Sequence, residues 1–134
     1  MRLEITRRAE LAVRAMVFLG SVGGRVKSRE IALELATTSM FVPQVVGPLV
    51  KAGWVQSHAG PTGGYNACVD LRDLSVLDVV EAVDGVTDSG RCVVADRPCA
   101  SGAPCALHAG WVRARQELVR ALGETRLSEL ATAR

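Results

Sequence analysis

Hydrophobic residues recur at helical spacing over residues 6–19, and this pattern predicts a helix. A second helix is predicted to start at Ser28, and a third helical segment covers residues 40–52. The polar residues 37–39 separate the second helix from the third. Two helices joined by a short turn are the outline of a helix-turn-helix, in which the second helix enters the major groove of DNA.

The third predicted helix contains two prolines. Pro43 falls in the first turn, where backbone amides have no partner inside the helix. Pro48 falls deeper, and a proline in a helix interior removes a backbone hydrogen bond and costs about 3 kcal/mol. We therefore expect Pro48 to kink this helix or to lower its stability.

Two short strand-like runs follow, at residues 54–58 and 65–69, with a glycine- and proline-rich segment between them. This pattern predicts a β-hairpin with a long turn. Placed directly after a helix-turn-helix, such a hairpin is a wing, and its glycines let the backbone approach a phosphate or a minor groove. Without the preceding helices, an ordinary surface hairpin is the better interpretation. Cys68, in the second strand run, is expected to be a small buried residue.

The second half of the chain predicts two further helices, over residues 74–83 and 106–122, on either side of a cysteine-rich loop. The longer helix either pairs with its copy in a symmetric dimer or packs within its own chain. We divide the chain into a winged helix-turn-helix domain at 1–84, a cysteine-rich loop at 85–105, and a dimerisation helix with a C-terminal tail at 106–134. The predicted fold class is mainly α with a small β-hairpin wing.

Composition and charge reduce the number of possible partners and activities. Residues 1–66 carry a net charge of +4 and residues 67–134 one of −2, and a basic first half suits a nucleic-acid partner. The chain begins with charged residues and has no apolar run of membrane-spanning length, so we expect a cytoplasmic protein without a membrane partner. We find no hydrolase constellation and no phosphate-binding loop, so we do not expect an enzyme.

Three cysteines and a histidine lie close together with the spacing Cys92-x6-Cys99-x5-Cys105-x2-His108. Thiolate and imidazole are ligands that select zinc, copper or iron–sulfur clusters. In the cytoplasm, clustered cysteines are more often metal-binding or catalytic than cross-linked. The residues alone leave open an iron–sulfur cluster, a structural Cys3His zinc site, or a thiol oxidoreductase. A thiol oxidoreductase would be expected to have a close Cys-x-x-Cys pair, which this chain lacks.

Several short motifs occur together with these features. They are Met1-Arg2-Leu3, Ala12-Val13-Arg14-Ala15-Met16, Leu49-Val50-Lys51-Ala52-Gly53, Gly60-Pro61-Thr62-Gly63-Gly64-Tyr65, Val80-Glu81-Ala82-Val83-Asp84, His108-Ala109-Gly110-Trp111 and Arg126-Leu127-Ser128-Glu129-Leu130. With the three-cysteine loop, they make nearly the whole chain similar to the bacterial iron–sulfur transcription regulators of the IscR and NsrR type. These are winged-helix proteins that dimerise through a long helix.

The resemblance implies an iron–sulfur cluster bound by Cys92, Cys99 and Cys105, with 2Fe–2S favoured and 4Fe–4S possible. His108 resembles the fourth ligand of the IscR type, and we prefer it because it is local. Glu10, on the first helix, is its rival, because it occupies the place where NsrR-type proteins use a carboxylate from the partner subunit. The first spacer is six residues, whereas the IscR pattern has five, so the loop geometry is expected to differ.

The same resemblance implies a homodimer that binds double-stranded DNA at a pseudo-palindromic operator and senses iron, redox or nitric oxide status. We expect Gln44 to read an adenine edge. The other predicted DNA contacts come from the helix-turn-helix and the wing: Ser28, Arg29, Ser39, Lys51, Gly63, Gly64 and Tyr65. The wing carries His58 and Ala59 where many relatives have an arginine before the glycine. We therefore do not rely on a basic side chain of the wing entering the minor groove.

Overall fold

The computed structural model describes residues 1–95, 97–99 and 105–132 of the chain. Parts of the predicted cysteine-rich loop and C-terminal tail, residues 96, 100–104 and 133–134, lie outside the described residues. The helices and strands, in chain order, are α1 (Arg7–Val22), α2 (Ser28–Leu35), α3 (Val42–Lys51), β1 (Val55–His58), β2 (Gly64–Ala67), α4 (Val76–Asp84), α5 (His108–Glu124) and α6 (Leu127–Thr132). The predicted mainly α fold with a hairpin wing is confirmed.

Helix α1 lies at the centre of the fold and packs against α2, α3, α4 and α6. Its N-cap is Thr6, whose hydroxyl accepts a hydrogen bond from the Ala9 N–H at 3.1 Å. The helix continues past the predicted end to Val22 and passes through Gly20. A Cβ on Gly20 would come within 2.5 Å of the Leu71 side chain. A glycine is therefore needed here for close packing and does not end the helix.

Helices α2 and α3 form the predicted helix-turn-helix. Phe41 is the N-cap of α3, and a turn in which the Phe41 N–H donates to the Thr38 carbonyl at 3.0 Å precedes it. The helix runs through Pro48 to Lys51, and the Pro48 carbonyl accepts from the Ala52 N–H at 3.0 Å. The residue before Pro48 is Gly47, which has no Cβ to clash with the proline ring. The backbone accordingly stays helical on both sides of the proline.

Strands β1 and β2 pair antiparallel, with Ser57 opposite Tyr65 and His58 opposite Gly64. The hairpin is joined to the rest of the fold by Val26, which lies in the connection between α1 and α2 and bridges to Tyr65. A Cβ on Gly64 would come within 2.5 Å of the Val26 carbonyl oxygen, and the φ of Gly64 is +134°. Only glycine fits this position without strain.

Helix α6, the last helix of the described chain, packs against α1. Leu127 is fully buried, and its N–H donates to the Leu74 carbonyl at 2.9 Å. A second hydrogen bond at 2.9 Å joins the Val76 N–H to the Thr125 carbonyl. Helix α6 thus belongs to the same hydrophobic core as α1, whereas α5 packs against α4 and has no fully buried residue. In the described part of the chain, no helix is both long and apolar enough to cross a membrane.

Candidate metal centre and DNA-binding surface

The sulfur atoms of the three predicted cysteine ligands lie close together, in the loop that precedes α5. These atoms all lie within 4.8 Å of one another. The Cys105 sulfur is 3.8 Å from the sulfurs of both Cys92 and Cys99. A short antiparallel bridge between Arg91 and Pro98 folds the loop back on itself, which brings Cys92 beside Cys99. Soft ligand atoms that distant sequence positions bring together in this way are a candidate metal centre.

The thiols of this group differ in acidity. The pKa of Cys92 is lowered, chiefly because the Val94 backbone N–H donates to its sulfur and secondly because the Cys99 thiol does. At Cys99 the Cys105 backbone N–H lowers the pKa, but the Cys92 thiol, burial and the Cys105 thiol together raise it above its ordinary value. The thiolate is the form that binds metal, and the lowered pKa of Cys92 favours this form.

His108 is the first residue of α5, and its N–H donates to the Cys105 carbonyl at 3.0 Å. It lines a cavity of about 210 Å³ together with the three cysteines. Its ring nitrogens stay outside the tight group that the sulfurs form within the described residues. The structure therefore brings His108 to the edge of the candidate centre.

Glu10 lies elsewhere in the chain. It projects from α1 and forms ion pairs with Arg7 at 3.0 Å and with Arg14 at 3.5 Å. The described part of a single chain does not bring its carboxylate to the three sulfurs. A role as ligand therefore needs a second copy of the chain.

Sequence reasoning missed an ion pair at this cavity. Arg115 on α5 pairs with Asp88 in the loop at 3.2 Å, and the Arg115 side chain is only 22% exposed. Both residues line the cavity with the cysteines, so the pair ties the loop to α5 beside the sulfurs. The signal was present, since His108, Trp111 and Arg115 follow one another at helical spacing of three and four.

The predicted DNA contacts fall on one region of the first domain. Arg29, Ser39, Gln44 and Lys51 are exposed on or between α2 and α3. Ser28, at the start of α2, lines a concavity of about 270 Å³ between α2 and the wing. The predicted contact residues of the wing, Gly63, Gly64 and Tyr65, line the same concavity. Lys27 also lines it and was missed, although its position next to Ser28 offered a cation for phosphate.

The structure places two further residues in or next to the wing. His58 is half-buried, and its Nε2 shares a hydrogen bond with the Asn66 Oδ1. The prediction that Cys68 is buried is wrong. Cys68 follows the end of β2, is exposed, and its thiol donates to the Gly53 carbonyl at 3.2 Å. It lies outside the group of three sulfurs.

A helix-turn-helix, a wing fixed beside it and a C-terminal helix define this chain as a winged-helix transcription regulator that binds DNA. It belongs to the Rrf2 family, because the family model described as an iron-dependent transcriptional regulator matches residues 5–133. The resemblance stated from the sequence is thereby confirmed. Members of this family are transcription regulators, so the chain is not an enzyme.

A relative in E. coli agrees with the family assignment, and two solved structures share the fold. The chain is 32% identical over 130 residues to the transcriptional regulator IscR of Escherichia coli, covering 96% of this chain and 80% of the relative. The solved structure of CymR, the global cysteine regulator of B. subtilis, matches with a TM-score of 0.80 at 23% identity and covers 99% of both chains. IscR of T. potens matches with a TM-score of 0.76 at 22% identity, covering 98% of this chain and 88% of the other.

Proposed function

We propose that this chain is a homodimeric DNA-binding transcription regulator whose operator affinity depends on an iron–sulfur cluster held by Cys92, Cys99 and Cys105. The observation that carries this proposal is the group of three sulfurs within 4.8 Å of one another, in front of α5. The E. coli relative is a helix-turn-helix transcriptional regulator, which supports the DNA-binding part of the proposal, and the description of the family as iron-dependent supports the metal centre. We expect the protein to act in the cytoplasm, where thiols stay reduced.

The residues present suit an iron–sulfur cluster, for which we favour the 2Fe–2S type, with 4Fe–4S possible. Such a cluster takes four protein ligands, so three thiolates leave one position for another residue. We assign that position to His108, which lines the same cavity as the cysteines. Glu10 from a second copy of the chain is the rival ligand. When bound, the cluster supplies a centre whose state depends on iron supply, oxidation and nitric oxide.

The surface of α5 supports the dimer. Although the helix carries Trp111, Val112, Leu118 and Val119, none of its residues is fully buried in the single chain. Pairing with a second α5 around a dyad removes this apolar surface from water. The same dyad relates two recognition helices, which suits a pseudo-palindromic operator.

Hydrogen bonds and an ion pair connect the cysteine-rich loop to α5 and to α4. Arg115 and Asp88 link it to α5 at 3.2 Å. At its beginning, the Thr87 N–H donates to the Glu81 carboxylate of α4 at 2.7 Å. The neighbouring Asp84 accepts from the Thr6 hydroxyl at 2.7 Å, which joins the end of α4 to the start of α1. A change in the loop thus reaches the DNA-binding domain, and affinity changes by the difference in free energy between the two loop states.

A structural zinc site is the second candidate, and one observation favours it. The two sulfur separations of 3.8 Å equal the edge of a tetrahedron of sulfurs at about 2.3 Å from one metal ion. With His108 as fourth ligand, the site would be a complete Cys3His zinc centre.

Anaerobic purification followed by visible absorption and metal analysis separates the two candidates. We expect a brown protein with bands between roughly 320 and 460 nm and about two iron and two sulfide ions per chain. A colourless protein with one zinc ion per chain contradicts the cluster. The sensing proposal is tested by the affinity for operator DNA, which must differ between the loaded protein and the variant with Cys92, Cys99 and Cys105 replaced by serine.

A further inference from the structure

The surface of the recognition helix α3 that faces away from the core is poor in hydrogen-bonding groups. Val42, Val45, Val46 and Leu49 are buried in the core. The exposed residues of the helix and of the turn before it follow one another at helical spacing, and we call them the reading face. They are Met40, Pro43, Gln44, Gly47 and Lys51.

The chemistry of the reading face is mainly apolar. Among its side chains, only Gln44 and Lys51 have polar atoms, and Lys51 is the last residue of the helix. Pro43 lacks an N–H, and Gly47 has no side chain. Met40 is 90% exposed, although a large apolar side chain gains free energy when it leaves water. Within the part of the chain that the structure describes, no residue covers Met40, so its apolar atoms are available to a ligand.

The position of Met40 indicates which kind of ligand would contact this face. It lies at the N-terminal end of the recognition helix, the part of a helix-turn-helix that contacts base edges. Its place is defined by the turn at Thr38–Phe41 and by the Gln44 N–H, which donates to the Phe41 carbonyl at 3.0 Å. The exposed cations Arg29 on α2 and Lys51 at the end of α3 are available for phosphate contacts on the two helices of the motif.

In the major groove, the apolar group that a base offers is the 5-methyl of thymine. We infer that Met40, together with Pro43, reads thymine methyl groups, while Gln44 reads an adenine edge beside them. This inference rests on the proposed DNA-binding function and specifies which base chemistry the operator presents. Each half-site then contains an A·T-rich step contacted by the start of α3.

The test uses duplex DNA selected from a random library by the wild-type, anaerobically purified protein. Each thymine of the selected sequence is replaced in turn by deoxyuridine, which removes only the 5-methyl group. Loss of a buried methyl contact lowers affinity about fourfold. We expect this loss with the wild-type protein at one or two thymines of each half-site. The variant Met40→Ala should bind the thymine operator about as weakly and be insensitive to deoxyuridine at the same position.

Two further variants keep this result interpretable. Met40→Leu retains an apolar side chain and should restore the sensitivity to deoxyuridine. Leu33→Ala removes an apolar side chain that is 81% exposed on α2, outside the reading face, and should leave the sensitivity unchanged. If deoxyuridine at no position weakens binding by the wild type, or if Met40→Ala keeps the full sensitivity, the inference is overturned while the proposed function stands. If no sequence is selected, the DNA-binding proposal fails and the inference fails with it.

Discussion

The backbone of Tyr65 exchanges two hydrogen bonds with the backbone of Val26, at 2.8 and 2.9 Å. Tyr65 lies in the wing, and Val26 lies just before the first helix of the helix-turn-helix. The wing is consequently held in one orientation relative to α2, and Ser28 and the wing residues line one concavity. A short backbone bridge thus fixes a two-stranded hairpin, which is marginal on its own, beside the helix-turn-helix, where we propose that it contacts DNA.

Gly64→Ala should disrupt this bridge. The added Cβ would meet the Val26 carbonyl oxygen at 2.5 Å, at a φ of +134°. We expect the free energy of unfolding in urea to fall by about 2–3 kcal/mol. Gly60→Ala is the matched control, because Gly60 also has a positive φ, of +89°, but has open space around it. A loss no larger than that of the control would show that the contact with Val26 is unimportant.

Leu127→Ala should destabilise the DNA-binding domain although the residue lies near the end of the chain. Leu127 is fully buried in the core that surrounds α1. Truncating a leucine in such a site costs about 2–5 kcal/mol. Thermal and urea unfolding provide the measurement, with Val86→Ala as the control, since Val86 is 76% exposed. Equal effects of both substitutions would contradict the packing of α6 in the core.

Leu118→Glu should dissociate the proposed dimer. Leu118 lies on α5 and lines an apolar cavity with Met1, Leu3 and Trp111. A charge there cannot be buried without a partner. Sedimentation velocity should show a monomer, with the circular dichroism of the wild type. Gln116→Glu, an equivalent charge at an exposed position of the same helix, should remain dimeric. A wild-type protein that is already monomeric would remove the dimer from the proposal.

Single replacements should identify the metal ligands. Cys105→Ser should lose the bound metal, because Cys105 is 3.8 Å from each of the other two sulfurs. Cys68→Ser should keep it, since Cys68 lies outside the group. His108→Ala and Glu10→Ala then distinguish the two candidates for the fourth ligand by iron content and absorption spectrum. Full retention of iron in His108→Ala with loss in Glu10→Ala would reverse our assignment.

Asp70 should titrate at unusually low pH. Side-chain and backbone hydrogen bonds from Arg72 lower the pKa of its carboxyl from 3.8 to about 2. Because the folded pKa is below the unfolded one, the stabilisation is present above pH 3.8 and is lost as the pH falls through about 2. Carboxyl NMR titration measures the folded pKa, and Arg72→Ala should return it towards its ordinary value. A normal pKa in the wild type would contradict the ion pair at 2.8 Å.

Much of the local structure follows from nearby residues and was predicted from the sequence. Thr6 and Ser28 were expected at the starts of the first two helices, and the structure begins α1 directly after Thr6 and α2 at Ser28. The hairpin was expected from two strand runs with glycines between them. Such features depend on backbone preferences and hydrogen bonds within a few residues, so the pattern along the chain carries them. The spacing of Cys92, Cys99 and Cys105 likewise indicated a metal site before any distance was known.

The tertiary structure decided what depends on residues far apart in the chain. It returned Leu127 to the core, let α1 continue through Gly20 beside Leu71, and paired Arg115 with Asp88 at the cavity of the cysteines. It also placed His108 at the edge of the cavity that the sulfurs line and paired Glu10 with Arg7 and Arg14 on α1. The sequence by itself indicated the kinds of candidate ligand and the loop and helices that carry them. The contacts between distant side chains were decided by the packing of α1, α4, α5 and α6. The free energy of that packing is shared by the whole core, so no short stretch of sequence reveals it.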